Sequence, residues 1–236
     1  MQRLQQDNVA QGVGGYVLAG GHSSRMGRDK AMLELAGYPL IAHAVGKVRR
    51  LTGEAQILAG EPPGNPALGA FGPLLFDLHP GCGPIGGMES ALAHTRHEWN
   101  LILPVDVPFF PAVHMGAWLQ RFTSGPGPRC PVALFEVEGR PQPTLLLVHR
   151  EVRPFLTAAI GRGEYRLMDA LRTAVRELGT CEGFIGGGVP HVTRPAELLE
   201  AGPEAGAETS LWFSNLNTPE EFAAAEVQAT TLDPLA

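Results

Sequence analysis

The densest group of residues able to do chemistry runs from Leu18 to Lys30, Leu-Ala-Gly-Gly-His-Ser-Ser-Arg-Met-Gly-Arg-Asp-Lys, at the end of a short apolar stretch, Gly15 to Ala19. Gly20, Gly21 and Gly27 allow backbone N–H groups to turn inward and approach an anion closely. Arg25, Arg28 and Lys30 add fixed positive charge, so the chemistry suits a triphosphate. The loop is not a Walker motif, because no Gly-Lys-Ser/Thr closes it, and it does not fit the dinucleotide pattern Gly-x-Gly-x-x-Gly. Ser23 is not a nucleophile elbow either, since Arg25 stands where a second glycine is required.

Three further segments carry candidate groups. Leu103-Pro-Val-Asp-Val-Pro108 ends an apolar run with one carboxylate, Asp106, between two prolines that restrict the backbone. Ligands of open α/β sheets bind at the carboxyl ends of strands, and a lone carboxylate there suits Mg²⁺, which takes one or two carboxylates plus phosphate oxygens. A plain turn or helix-capping aspartate is the competing explanation. Gly83-Pro-Ile-Gly-Gly-Met88 lets a flat base lie against backbone, and the preceding Asp77 could accept from the two-donor edge of guanine, which adenine cannot match. In Ser214-Asn-Leu-Asn-Thr-Pro219, strand alternation would place Asn215 and Asn217 on one face to bind phosphate or complete a metal shell, although Asn217 and Thr218 could merely cap a helix. Arg140 to Thr144 offers a cation and an amide to a second substrate, or is ordinary loop. His94 and His97 lack a third metal ligand, and Cys82 reads as an incidental thiol.

The elements that must position these groups alternate. Short strands are expected at Gly15–Ala19, Ala55–Ala59, Leu74–Phe76 and Trp99–Pro104, and helices at Pro39–Val48, from the Pro80–Gly87 turn to about Thr95, and at Pro111–Phe122. Lys47, Arg49 and Arg50 read as cations at the end of the first helix, where the dipole favours them. This repeat of strand, loop and helix predicts a parallel sheet covered on both faces. The second half, with strands at Pro131–Glu136 and Pro143–His149, helices at Glu151–Ile160 and Tyr165–Arg176, a last strand at Leu211–Ser214 and a helix from Pro219 capped by Thr218, predicts a smaller, partly antiparallel lobe. The fold class is α/β, a Rossmann-like three-layer sandwich. Residues 1–13 read as a disordered tail and 14–230 as one domain. Its nucleotide-binding half is 14–125 and its second-substrate half 126–230, with an exposed loop insertion at about 183–206.

Composition sets the outer limits. With 236 residues, 44% hydrophobic and 18% charged, the chain can bury a core, and global disorder is excluded. A net charge of −6 argues against sequence-independent nucleic-acid binding. Three widely spaced cysteines form neither a disulfide framework nor a zinc motif and fit a reducing cytoplasm. The apolar runs fall far short of the ~20 residues of a membrane span.

Taken together, these residues resemble the molybdenum cofactor guanylyltransferases of the nucleotidyltransferase superfamily. Four motifs match in order, Leu18 to Lys30, Gly83 to Met88, Pro104 to Pro108 and Asn215 to Pro219. The resemblance implies a fold like that of the nucleotide-diphospho-sugar transferases. It also implies transfer of GMP from GTP to the terminal phosphate of molybdopterin, with Mg²⁺ as cofactor and pyrophosphate released. By motif, GTP would contact Leu18, Ala19, Gly20, Gly21, Lys30, Asp77 and Asp106. Asp106 would also meet the metal, Arg25 would join Lys30 and Asp106 in catalysis, and Asn215 and Asn217 would lie near the metal and the pterin phosphate. Partners would be GTP, the cofactor and other proteins of its biosynthesis or chaperones of molybdenum apoenzymes, in the cytoplasm, without nucleic acid or membrane. One departure is Gln56-Ile-Leu-Ala-Gly60, which lacks the polar residue that the family often places at the end of the second strand. The alternatives are a cytidylyltransferase acting on the same cofactor, a sugar-phosphate nucleotidyltransferase, and a nucleotide-binding delivery protein without turnover.

Overall fold

A computed structural model describes residues 10, 12–20, 29–123, 130–179, 189–199, 209, 211–214, 216 and 218–235. Its strands are β1 (Val13–Leu18), β2 (Glu34–Leu35), β3 (Tyr38–Pro39), β4 (Gln56–Gly60), β5 (Leu74–Phe76), β6 (Trp99–Pro104), β7 (Val132–Val137), β8 (Arg140–His149) and β9 (His191–Thr193). Its helices are α1 (Leu40–Thr52), α2 (Pro84–His94), α3 (Ala112–Thr123), α4 (Arg153–Gly161), α5 (Leu167–Leu178) and α6 (Pro219–Val227).

Seven strands form one sheet in the order β5-β4-β1-β6-β8-β7-β9, and β2 and β3 make a separate hairpin. The pairs β5–β4, β4–β1 and β1–β6 are parallel, β8 is antiparallel to both β6 and β7, and β9 is parallel to β7. Among the described strands of this sheet, β8 alone runs against the rest, so the antiparallel part of the fold is joined to the parallel part by continuous pairing. This is a Rossmann-like α/β arrangement with a mixed, mainly parallel sheet.

Alternation along each strand divides the core between two faces. Val17, Ile57, Leu101, Leu103, Phe135 and Leu147 pack on the side of α1 and α3. Tyr16, Leu58, Ile102, Leu134 and Leu146 pack on the side of α2, α4 and α5. Each such side chain, fully buried, contributes about 1.5–3 kcal/mol. The stripe Leu40, Ile41, Ala44, Val48 and Leu51 seats α1 on its face, and Gly53, at φ 83°, ends the helix by returning its N–H to Arg49 O. Thr218 and Glu221 cap α6 reciprocally, each side chain accepting from the other's backbone N–H.

Several expected elements differ. Leu211 and Trp212 are helical rather than extended. Trp212 stacks with Phe110 at 4.8 Å and with His114 at 4.9 Å, and this aromatic packing outweighs the strand propensity of Leu-Trp-Phe. Within the turn-rich 183–206 segment, His191–Thr193 forms the edge strand beside β7. Arg140–Thr144 is the first half of β8 rather than loop. Among the described residues no helix is long and apolar enough to cross a membrane.

Candidate active site

Because β5, β4, β1 and β6 are parallel, their carboxyl ends open on one edge of the sheet. Leu18 sits in register with Leu58 on one side and Pro104 on the other. Ala19 and Gly20 both donate their N–H to Leu58 O, at 3.1 and 2.9 Å, and Val105 donates to Leu18 O. Gly20 is sterically required, since a Cβ there would lie 2.8 Å from Gly60 N and 2.9 Å from its Cα. Gly21 and Arg25 lie outside the described residues, as do Asn215 and Asn217.

The chain is described again at Asp29, which holds two neighbours. One carboxylate oxygen caps the short helical turn Lys30–Met32 through Ala31 N (3.0 Å), and the other accepts from Asn65 Nδ2 (2.7 Å). This ties the exit of the glycine loop to the β4–β5 connection. Neither Asp29 nor Asn65 has a role assigned from sequence; the signal for Asp29 is its place in the Leu18–Lys30 motif, and for Asn65 only that it is a small polar residue suited to a turn.

The anchored turn delivers Lys30 to Asp106, with Nζ to Oδ2 at 2.8 Å. Both side chains are largely sheltered, 15% and 26% exposed. Charges paired this far from bulk water hold their geometry better than a surface pair. Asp106 Oδ1 has no hydrogen-bond partner among the described residues. A hard oxygen donor, partly open and with one oxygen unclaimed, fits Mg²⁺.

The loop after Asp106 is held from behind. Lys47 of α1 is 2% exposed and donates to Pro108 O at 2.6 Å and to Phe110 O, while its Nζ lies 3.3 Å from Asp233 Oδ2. Burial lowers its pKa to about 8, against the upward pull of Asp233. This corrects the expectation that Lys47 complements the dipole at the helix end. It lies on the buried stripe between Ala44 and Leu51, and a lysine at that position was the available signal. Arg49 instead donates to Phe71 O (2.7 Å), and Arg50 to Pro234 O.

Asp77 lies beyond β5, its N–H donating to Gly60 O (2.9 Å). Its carboxylate rests on the glycine turn that opens α2: a Cβ on Gly86 would lie 3.1 Å from Oδ2, and one on Gly87 3.5 Å from Oδ1. Oδ1 is buried without a hydrogen-bond partner among the described residues. Desolvation, with a smaller push from Glu61, raises its pKa. The carboxylate can pack this closely only because Gly86 and Gly87 carry no Cβ.

Lys30, Asp106, Leu18, Ala19 and Gly20 thus gather on neighbouring strand ends, and Asp77 stands two strands away on the same edge. His94 and His97 do not converge: His94 Nδ1 lies 2.9 Å from Ser90 O, and His97 Nε2 lies 3.1 Å from Glu54 Oε1. Among the described residues no group of three or more His, Cys, Asp or Glu side chains could hold a metal. A cavity of about 350 Å³ lies between Phe109, Leu216 and the α6 residues Glu221 and Ala225.

Comparison with known proteins agrees with this geometry. Residues 15–177 match the MobA-like NTP transferase domain. The chain is 36% identical over 160 residues to the molybdenum cofactor guanylyltransferase of Serratia proteamaculans, covering 65% of this chain and 76% of that protein. It is 33% identical over 185 residues to a probable molybdenum cofactor guanylyltransferase of Deinococcus radiodurans, covering 78% and 91%. Among solved structures, molybdopterin-guanine dinucleotide biosynthesis protein A from Archaeoglobus fulgidus superposes with a TM-score of 0.71 at 20% identity, over 94% of this chain and all of that one. The extent of the domain match and the identity to these relatives establish that this chain belongs to the MobA-like NTP transferase family.

Proposed function

We propose that this nucleotidyltransferase moves GMP from GTP to the terminal phosphate of molybdopterin and releases pyrophosphate. The observation that carries the proposal is the Lys30–Asp106 pair, a cation and a carboxylate side by side at the strand ends where the glycine loop begins. The attacking group is a phosphate oxygen, which forms a new P–O bond at the α-phosphorus while the bond to the β-phosphate breaks. With a second pKa of about 6, that phosphate is largely ionised at neutral pH, so no protein base has to remove a proton. The task is to bring anions together and stabilise charge on the departing pyrophosphate.

Lys30 and the backbone following Leu18 bind the triphosphate in this reading. Asp106 is the residue that would hold Mg²⁺. When bound, the ion would supply charge neutralisation on the phosphates. Arg25 belongs to the same loop and is assigned to the same charge. Asp77, half-buried beside the glycines that open α2, is assigned to the N–H edge of guanine. The cavity beside Phe109, together with Asn215 and Asn217, is assigned to the second substrate.

The test is incubation of the pure chain with Mg²⁺, molybdopterin and each of GTP, CTP, ATP and UTP. Pyrophosphate release matched by a dinucleotide product with GTP is expected. Preferred turnover of CTP would overturn the assignment of the base, and release without molybdopterin would overturn the acceptor.

A further inference from the structure

The segment that carries Asp106 is gripped by a buried ion pair, Lys47 with Asp233. Lys47 Nζ has three N–H donors and three partners, Pro108 O, Phe110 O and Asp233 Oδ2. Burying an ammonium group is costly unless every donor is paired. All three partners therefore have to be in place together. Two of them are carbonyls two and four residues beyond Asp106. The third, Asp233, lies past α6 and also receives the N–H of Ala112, the first residue of α3, on both carboxylate oxygens at 3.2 and 3.1 Å. Arg50 Nη1, 3.7 Å from Asp233, adds a second cation. The loop between β6 and α3 is thus fixed at its start by sheet pairing, in its middle by Lys47 and at its end by Asp233.

We infer that Lys47 and Asp233 are positioning residues for the transfer reaction, holding the 105–111 loop so that Asp106 meets Lys30. The inference rests on the role proposed above for Asp106. A purely structural pair would lower stability and leave turnover of the folded protein unchanged. A positioning pair lowers kcat while nucleotide binding persists, because displacing a reacting group by about 1 Å can cost ~100-fold in rate.

The experiment compares full-length wild type with Lys47→Met and Asp233→Asn. It reads kcat, KM for GTP, circular dichroism and amide hydrogen exchange. In both variants kcat is expected to fall at least ~10-fold with KM within ~3-fold. Exchange should rise across residues 105–112 and stay unchanged in β1 and β4. A kcat within ~3-fold of wild type in a folded variant overturns the inference. So does faster exchange across the whole sheet, or loss of fold in both variants, since each would make the pair a requirement of the core rather than of the loop. Absence of transfer by the wild type would count against the proposed reaction, while the exchange pattern would still report whether the pair holds the loop.

Discussion

Lys30 Nζ and Asp106 Oδ2 lie 2.8 Å apart although 76 positions separate them in sequence. The contact exists because β1 and β6 are parallel neighbours, so both chains leave the sheet at the same edge. In the pair each charge neutralises the other. In the proposed reaction a triphosphate with its cation would offer both groups stronger partners at once, a phosphate for Lys30 and a divalent ion for Asp106, so binding would proceed by exchange of partners.

Asp106→Ala is expected to keep the fold and lose more than ~10²-fold in transfer rate, as for removal of a metal anchor. Steady-state pyrophosphate release with circular dichroism as a control checks this, and near-wild-type turnover would refute the assigned role.

Lys30→Ala should weaken GTP binding far more than guanosine binding, because a point charge on the phosphates is lost while the base recess is intact. Calorimetric titration of both ligands decides it, and equal losses would move Lys30 out of the phosphate site.

Asp77→Asn should raise the melting temperature by about 2 °C at neutral pH while erasing the preference for GTP. A carboxyl whose pKa is raised in the fold favours folding below its unfolded pKa, and this contribution is lost as pH rises through the raised value. At pH 7 the buried charge is therefore a net cost that the amide removes. Guanine binding by the wild type should also weaken as pH falls through the raised value, because the protonated acid has lost an acceptor. Thermal melts with and without each NTP measure both effects.

The reaction should show an alkaline limb centred near pH 8, where Lys47 loses its proton. Asp233 and Arg50 are the charged groups facing it. A lysine pKa depressed in the fold does not weaken folding as pH rises through 8 to 10, since the neutral amine is the better buried form. Rate should therefore fall over a range where the melting temperature does not fall on account of this group. Lys47→Met should lack that limb in its residual rate.

Gly20→Ala should destabilise the protein by about 1–3 kcal/mol, since its Cβ would press on Gly60 backbone that cannot turn aside. Urea unfolding measures this, and an unchanged midpoint would show that the two strand ends have room to separate.

The part of this site that could be read from sequence was local. Gly20 follows a five-residue apolar run, Asp106 is set between prolines after another, and Gly83 and Pro84 announce α2. In each case the residue sits where its own neighbours dictate the backbone. Long-range choices left no such trace. Leu211–Ser214 has the composition of a strand, and packing of Trp212 and Phe213 against the rings of Phe110, His114 and Phe135 settles a helical turn. His191–Thr193 is a strand of three residues among glycines and prolines, made by pairing with β7 rather than by its own propensity. Lys47 and Asp233 are separated by nearly the whole fold, so neither had a visible partner. Asp29 and Asn65 meet across the glycine loop, which the sequence marks, and the β4–β5 connection, which reads as ordinary loop.

The most direct test of one shared pocket is a double-mutant cycle on Lys30→Met and Asp106→Asn, read by single-turnover transfer from α-labelled GTP to molybdopterin. Residues that act on the same phosphates are strongly non-additive, so the double variant should be about as slow as the slower single one, ~10²-fold or more below wild type. Losses that multiply, to ~10⁴-fold or beyond, would mean that the lysine and the aspartate serve separate events, and the account would fail.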